Sequence, residues 1–206
     1  MMKLYEFPFS SNSRKVRAVA EELGIRLEYV RVDLPAGGSR TPGFLSRNPN
    51  GRVPVLVDGD FVLWESTAII RYLASGSHLL PADRRAAAEV DRWMSWQLAH
   101  LSPALSRVGF EKIVKRLTGR GEPDPAAVAE GSAEFERLTA ILDASLDGRE
   151  YVAGPLTLAD FALAAHYSLA PACGLDVRAH HRVDSWLARM LARDSMRRAL
   201  AEAERS

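Results

Sequence analysis

Residues 3–24 read KLYEFPFSSNSRKVRAVAEELG. Leu4, Tyr5 and Phe7 make Lys3 to Phe7 a short strand. Val16, Val19, Ala20 and Leu23 then recur at i, i+3, i+4 and i+7, the spacing of one helical face, and Gly24 is placed to end the helix. Between the two stand Ser10, Ser11, Asn12 and Ser13, delivered to a helix entrance whose first amides are unpaired. Such an entrance attracts anions through free N–H groups and aligned peptide dipoles. The dipole contributes ~0.3–1 kcal/mol, ~2 at best, which lowers a thiol's pKa by about one unit at ~1.36 kcal/mol per unit. A hydroxyl from Ser10 or an amide from Asn12, donating to a thiolate, adds to that shift. The plainer reading of the same stretch is a helix capped by Ser13 with the other polar groups in water.

Working outward, RLEYVRVDL alternates like a second strand, and a loop from Pro35 to Pro42 leads to a short turn around Phe44 and Leu45. VPVLVDGDFVL is a hairpin signal joined by Asp58 and Gly59, and ESTAIIRYLA puts Ile69, Tyr72 and Leu73 on one helical face. The order β-α-β-α-β-β-α is that of a thioredoxin-like layer. From about Arg84 onward only helical periodicity remains, so the reading is α/β plus all-α, with domains at 1–75 and 84–206. SGSHLLPADRR is the linker, with Leu79 and Leu80 available to dock in a groove. A long helix is expected from Ala86 to Leu117, bent near Pro103, whose ring removes a backbone donor. Asp124 and Pro125 open the next helix, with Phe135, Leu138, Ile141 and Leu142 as its buried stripe. Thr157 and Asp160 form a capping box, Pro171 stops that helix, and the last segment carries Trp186 and Met190 on one face.

Two further stretches bear on chemistry. In NPNGRVPVL, Pro54 stands at a strand start, where it interrupts pairing unless the Val53–Pro54 bond is cis; Val53's N–H and C=O then turn outward to pair with an extended peptide. A trans proline on a sheet edge is the alternative. In WESTAII, Ser66 caps a helix whose amides also suit a carboxylate, while Glu65 accepts from an ammonium group; an ordinary cap would need neither role.

Composition narrows the classes. Over 206 residues, 27 Lys and Arg nearly balance 26 Asp and Glu, for a net charge of +1, so no global field recruits nucleic acid or an anionic membrane. The single cysteine, Cys173, excludes an internal disulfide framework and any C-x-x-C site, and reads as a small buried apolar residue. With no basic-then-apolar start and no run near the ~20 apolar residues that span a bilayer, a cytoplasmic location is expected. His180 and His181 are adjacent, and His78, His100 and His166 isolated, so no metal set is expected; no G-x-S-x-G elbow supports serine hydrolysis.

Taken jointly, SSNSRKVR, NPNGRVPVL, the ES that opens the third helix, the LLP linker and TLAD in an all-helical second half resemble the cytosolic glutathione transferases over nearly the whole chain, in the serine-type form found in bacteria. The resemblance implies a thioredoxin-like domain that binds glutathione as cosubstrate, an all-α domain that supplies most of an electrophile pocket, a role in detoxification, and homodimers. It places Ser10 at the catalytic serine that donates to the glutathione sulfur, with Asn12 as the rival because some bacterial members carry an amide there. Val53, followed by Pro54, takes the place of the residue whose main chain pairs with the cysteinyl moiety, and Glu65 with Ser66 that of the pair holding the γ-glutamyl ammonium and carboxylate. Arg52 and Arg40 would face the glycyl carboxylate, where many members carry Lys, Gln or His. Trp96 and His100 would line the electrophile pocket. Three alternatives stand beside the transferase: a maleylacetoacetate-type isomerase, in which a cysteine occupies the place of Asn12; a glutathione-dependent disulfide reductase; and a non-catalytic ligand-binding protein of the same fold.

Overall fold

The computed structural model describes residues 1–204, which form two compact units, Met1–Leu80 with the chain from Ala192 onward, and Pro81–Leu191. In the first unit β1 (Lys3–Glu6), β2 (Glu28–Arg31), β3 (Val55–Asp58) and β4 (Phe61–Trp64) make one sheet in the order β2-β1-β3-β4. β1 pairs with β2 in parallel and with β3 antiparallel, and the β3–β4 hairpin turns at Gly59, whose φ of 61° suits a residue without Cβ. With α1 (Ser11–Glu22), the short α2 (Pro42–Leu45) and α3 (Ser66–Leu73), this is the thioredoxin-like layer expected from the sequence.

Leu4, Val16, Val19, Ala20, Val55, Leu56, Ile69 and Ile70 are fully buried and form its core. Leu23 is only half-buried, so the stripe on α1 stops a turn early. Tyr72 also leaves the predicted face: its ring is 41% exposed and its hydroxyl donates to Asp58 at 2.8 Å. A buried ion pair, Arg17 to Glu6 at 2.5 Å, ties α1 to β1, and the Arg17 guanidinium lies 3.9 Å over the Tyr29 ring.

In the second unit the helix expected from Ala86 begins two residues earlier, because Asp83 caps it by accepting from the amides of Arg85 and Ala86. It continues as α4 (Arg84–Trp96), α5 (Ser102–Gly109) and α6 (Lys115–Thr118), joined by π-helical turns at Gln97–Leu101 and Phe110–Val114. Pro103 cannot donate to the carbonyl one turn back, and the wider turn at 97–101 is where the helix accommodates it. α7 (Pro125–Ser145) is capped by Asp124 as expected; Phe135, Leu138 and Leu142 are buried, but Ile141 is 41% exposed and lies off the stripe. Every residue of α8 (Leu158–Tyr167) is buried, which makes it the centre of this unit, and α9 (His181–Leu191) lays Trp186 and Met190 against the core.

The final segment is not one helix. It breaks after Leu191, and α10 (Asp194–Glu204) packs on α1, so a segment that the 84–206 boundary groups with the all-α half joins the first unit. The cause is Glu22, which accepts from Arg193 at 2.5 Å and from Ser195 at 2.6 Å, while Met196 and Ala199 bury alongside. Burial pushes the Glu22 carboxyl up, but the bonds from Arg193 and Ser195, with the charges of Arg193 and His78, hold it below the usual carboxylate range. A carboxylate with a depressed folded pKa stabilises above its unfolded pKa, and that contribution fades as pH falls through the folded value. Glu22→Gln should therefore cost about 1–2 kcal/mol in urea denaturation at neutral pH, with the deficit shrinking below about pH 4.

Candidate functional site

β1 ends at Glu6, and Phe7 to Ser10 carry the chain over to α1. Ser13 is not the cap: its buried hydroxyl accepts from the Phe7 amide at 3.3 Å and so fixes this turn, while Arg14 donates to the Pro8 carbonyl at 3.1 Å. Ser10 occupies the N-cap position in extended conformation, and its hydroxyl makes no capping bond. No acid stands in the first turn of α1, so the entrance keeps its attraction for an anion.

The third helix opens close by. Glu65 is its N-cap, exposed and held at a φ of 70°, the one positive value at a non-glycine among the described residues. Such a conformation costs about 1–3 kcal/mol in a residue with Cβ and persists where the surroundings impose it, commonly at binding sites. Ser66 is buried and donates to Oδ1 of Asn12 at 3.0 Å. This bond joins the entrances of α1 and α3, bringing two of the sequence-predicted groups into one constellation.

The cis bond between Val53 and Pro54 is present, and Val53 lies just outside the ladder, which begins at Val55. The turn leading to it is held by Asn48, a buried residue that sequence reading passed over, which donates to the Arg52 carbonyl at 2.7 Å and accepts from the Asn50 amide at 3.0 Å. Arg40 and Arg52 both have exposed side chains, and Arg40 donates to the Asn50 carbonyl at 3.4 Å. Gly51 suits this turn, since its φ of 61° is one that a residue with Cβ rarely adopts and a Cβ there would stand 3.0 Å from the Ser39 carbonyl oxygen.

Lys15 and Thr67 were also invisible as site residues in the sequence. Lys15 is fully buried, and its Nζ donates to Thr67 Oγ1 at 3.0 Å, a second tie between α1 and the first turn of α3. Burial pushes its pKa down to about 7 against the upward pull of the Glu65 carboxylate. The available signal was spacing: Lys15 precedes Ala18 and Val19 by three and four residues, on the buried face.

Trp96 and His100 belong to the second unit, where their rings lie 6.4 Å apart. Trp96 is half-buried against Trp93, and His100 is exposed, lining an open groove of about 450 Å³ between α5 and α7 with Arg107, Glu130, Glu134 and Arg137. Cys173 is buried, and burial pushes its thiol up against the charge of Lys112, consistent with a packing role. Among the described residues there is no cluster of metal-binding side chains, and no helix is long and apolar enough to cross a membrane.

Comparison with known proteins places this geometry. Residues 1–75 match the family model described as glutathione S-transferase, N-terminal domain. The chain is 37% identical to glutathione S-transferase 3 of Zea mays over 97% of its own length and 93% of the relative's. It superposes with a TM-score of 0.91, at 29% identity over 100% of this chain and 99% of the other, on glutathione S-transferase I from maize in complex with an atrazine glutathione conjugate. A theta class glutathione S-transferase from Xanthomonas axonopodis pv. citri with glutathione bound aligns at a TM-score of 0.89 and 30% identity, over 97% and 96% of the two chains. With the thioredoxin-like sheet, the cis proline before β3 and the joined entrances of α1 and α3, these full-length matches show that the chain belongs to the glutathione S-transferase family.

Proposed function

We propose that this protein binds glutathione on its first unit, lowers the pKa of the thiol, and transfers the resulting thiolate to an electrophilic carbon of a small molecule, in the serine-type manner. The observation that carries the reading is the Asn12–Ser66 bond, which joins the entrances of α1 and α3, the two places this reading assigns to the thiol and to the γ-glutamyl end of the tripeptide. Each group of glutathione then has a counterpart: Ser10 for the sulfur, the main chain of Val53 before cis-Pro54 for the cysteinyl unit, Glu65 for the ammonium, Ser66 and the α3 amides for one carboxylate, and Arg40 or Arg52 for the other. The thiol releases its proton to water at the α1 entrance, and the thiolate forms a carbon–sulfur bond with the electrophile as the leaving group departs with its bonding electron pair; the protein contributes positioning and electrostatic stabilisation. Trp96 and His100 are proposed to contribute to the electrophile side. The test is a conjugation assay with a chlorinated aromatic and glutathione, in which saturable turnover is expected; inertness toward that substrate, epoxides, isothiocyanates and disulfides alike would overturn the reading.

Glu65 offers a sharper check. Glu65→Gly relieves a positive φ and removes the carboxylate, so binding and folding should move apart. Thermal stability should hold or rise, while glutathione affinity falls about 10- to 100-fold, the loss of one charge-assisted bond at ~1.5–3 kcal/mol. Equal loss of both would assign Glu65 a structural role only.

We further infer that the protein works as a homodimer in the cytoplasm. On the edge strand β4 and the adjoining α3, Phe61, Val62, Trp64 and Tyr72 are all exposed, with the Phe61 and Tyr72 rings 5.4 Å apart, an apolar patch that a second copy would cover. Light scattering coupled to gel filtration should give twice the mass of the 22.7 kDa chain, and Trp64→Glu should halve it.

A further inference from the structure

The Ser10 hydroxyl makes no capping bond, so its place at the α1 entrance is set by the backbone on either side of it. Residues 7–10 form a tight turn in which the Ser10 amide donates to the Phe7 carbonyl at 2.9 Å, and the Ser10 carbonyl opens α1 by accepting from the Arg14 amide at 2.9 Å. Two bonds close the turn from within, from the Phe7 amide to Ser13 Oγ and from Arg14 Nε to the Pro8 carbonyl. One contact spans it from outside. Glu6, the last residue of β1, accepts on Oε1 from Arg17 in the second turn of α1 at 2.5 Å, and both side chains are buried. The Arg17 guanidinium also lies over the Tyr29 ring of β2, which seats the contact against the sheet.

A buried ion pair is a costly way to hold two elements together. Taking both charges out of water offsets much of their attraction, and an apolar pair of similar volume commonly stabilises as well or better. What the charge pair supplies is direction: a short contact between two particular atoms fixes a separation that apolar packing leaves adjustable. Here that separation brackets the stretch of chain that carries Ser10.

We propose that Glu6 and Arg17 are positioning residues, a buried charge clamp that sets where the Ser10 hydroxyl stands relative to the sulfur of glutathione. The proposal rests on the reading of Ser10 as the group that donates to that sulfur. With the clamp closed, β1 and α1 hold the two ends of residues 7–16 at one separation, and the hydroxyl meets the thiolate at hydrogen-bonding length. With apolar side chains in place of the pair, the packing survives but the turn relaxes, and a hydroxyl displaced by a fraction of an ångström gives up part of the bond that lowers the thiol's pKa. Val53, Glu65 and Ser66, read as holding the rest of the tripeptide, lie outside the bracket, so the clamp governs ionisation of the thiol rather than affinity. Asn12 lies inside it, but its bond to Ser66 gives it a second anchor.

The test is the double variant Glu6→Leu with Arg17→Met, which removes both charges together and leaves neither buried alone. Its thermal midpoint should equal or exceed that of the wild type. Turnover of a chlorinated aromatic should nonetheless fall about tenfold, with KM for glutathione changed less than about twofold. The pH at which bound glutathione ionises, read without electrophile from the ultraviolet absorbance of the thiolate, should rise by about one unit. In the Ser10→Ala background the same two changes should cost less than about twofold, because the clamp acts through a hydroxyl that is no longer there. Glu6→Gln, close to glutamate in shape, should show the same pattern at about threefold and serves if the double variant does not fold. Wild-type turnover and ionisation in these variants would overturn the proposal. So would an equal loss with and without the Ser10 hydroxyl, which marks damage to the fold rather than to the position of one group. If the wild-type protein showed no thiolate on addition of glutathione, the glutathione reading itself would fall, and this proposal with it.

Discussion

Replacing Asp160 by alanine is expected to cost about 3–5 kcal/mol, enough to bring a domain of ordinary stability to the edge of unfolding. The carboxylate is fully buried at the head of α8, the central helix of the second unit. One oxygen accepts from the Val152 amide at 3.0 Å and the Trp186 indole N–H at 3.0 Å; the other accepts from the Thr157 amide at 2.9 Å and the Thr157 hydroxyl at 3.3 Å. Burial pushes its pKa above the ordinary carboxylate range, and these four donations act against it. Alanine leaves four buried donors without an acceptor, at about 1–3 kcal/mol for each that water does not reach. Asp160→Asn keeps one accepting oxygen but turns an NH2 toward two donors, so roughly half of the loss is expected. Urea denaturation should show a lower midpoint at unchanged slope; a shift worth less than about 1 kcal/mol would mean that the network is not what seats α8.

Ser10→Ala should lower turnover by roughly 10- to 100-fold, the equivalent of ~1.5–3 kcal/mol of thiolate stabilisation lost with one hydrogen bond. The Ser10 hydroxyl makes no capping bond, so it is available to the sulfur and its removal should leave the fold intact. The loss should fall on kcat, with KM for glutathione little changed and the pH profile of turnover displaced upward, because the thiol would need a higher pH to ionise. Asn12 is placed differently. Its Oδ1 accepts from Ser66, so Asn12→Ala loosens the joint between the two helix entrances and should raise KM more than it lowers kcat. If Ser10→Ala turned over at the wild-type rate and Asn12→Ala did not, the sulfur would be assigned to the amide instead.

Much of this was legible along the chain because it is local. Strand alternation and the apolar spacing in residues 3–24 fix a strand followed by a helix, Asp124 with Pro125 opens a helix where it stands, and Thr157 with Asp160 encloses a helix start within four residues. Glu65 and Ser66, adjacent in sequence, needed only the helix boundary between them to be recognised as a pair. Where the local reading failed at Tyr72 and at the last helix, a partner from elsewhere in the chain had prevailed. Tyr72 and Ile141 left their predicted faces, the first for a bond to Asp58. The last helix broke after Leu191 because Glu22, more than 160 residues earlier, collects Arg193 and Ser195.

The sequence by itself determined the order of elements and the chemical inventory of the site: hydroxyls at one helix entrance, an acid and a serine at another, a proline between two loops and a strand. Only the tertiary structure decided which of these touch. Asn12 meets Ser66, and Lys15 meets Thr67, across more than fifty residues of chain. The physical reason is that backbone periodicity is encoded within a few residues of each position, whereas the burial of an amine or the partner of an amide depends on elements brought together by the sheet.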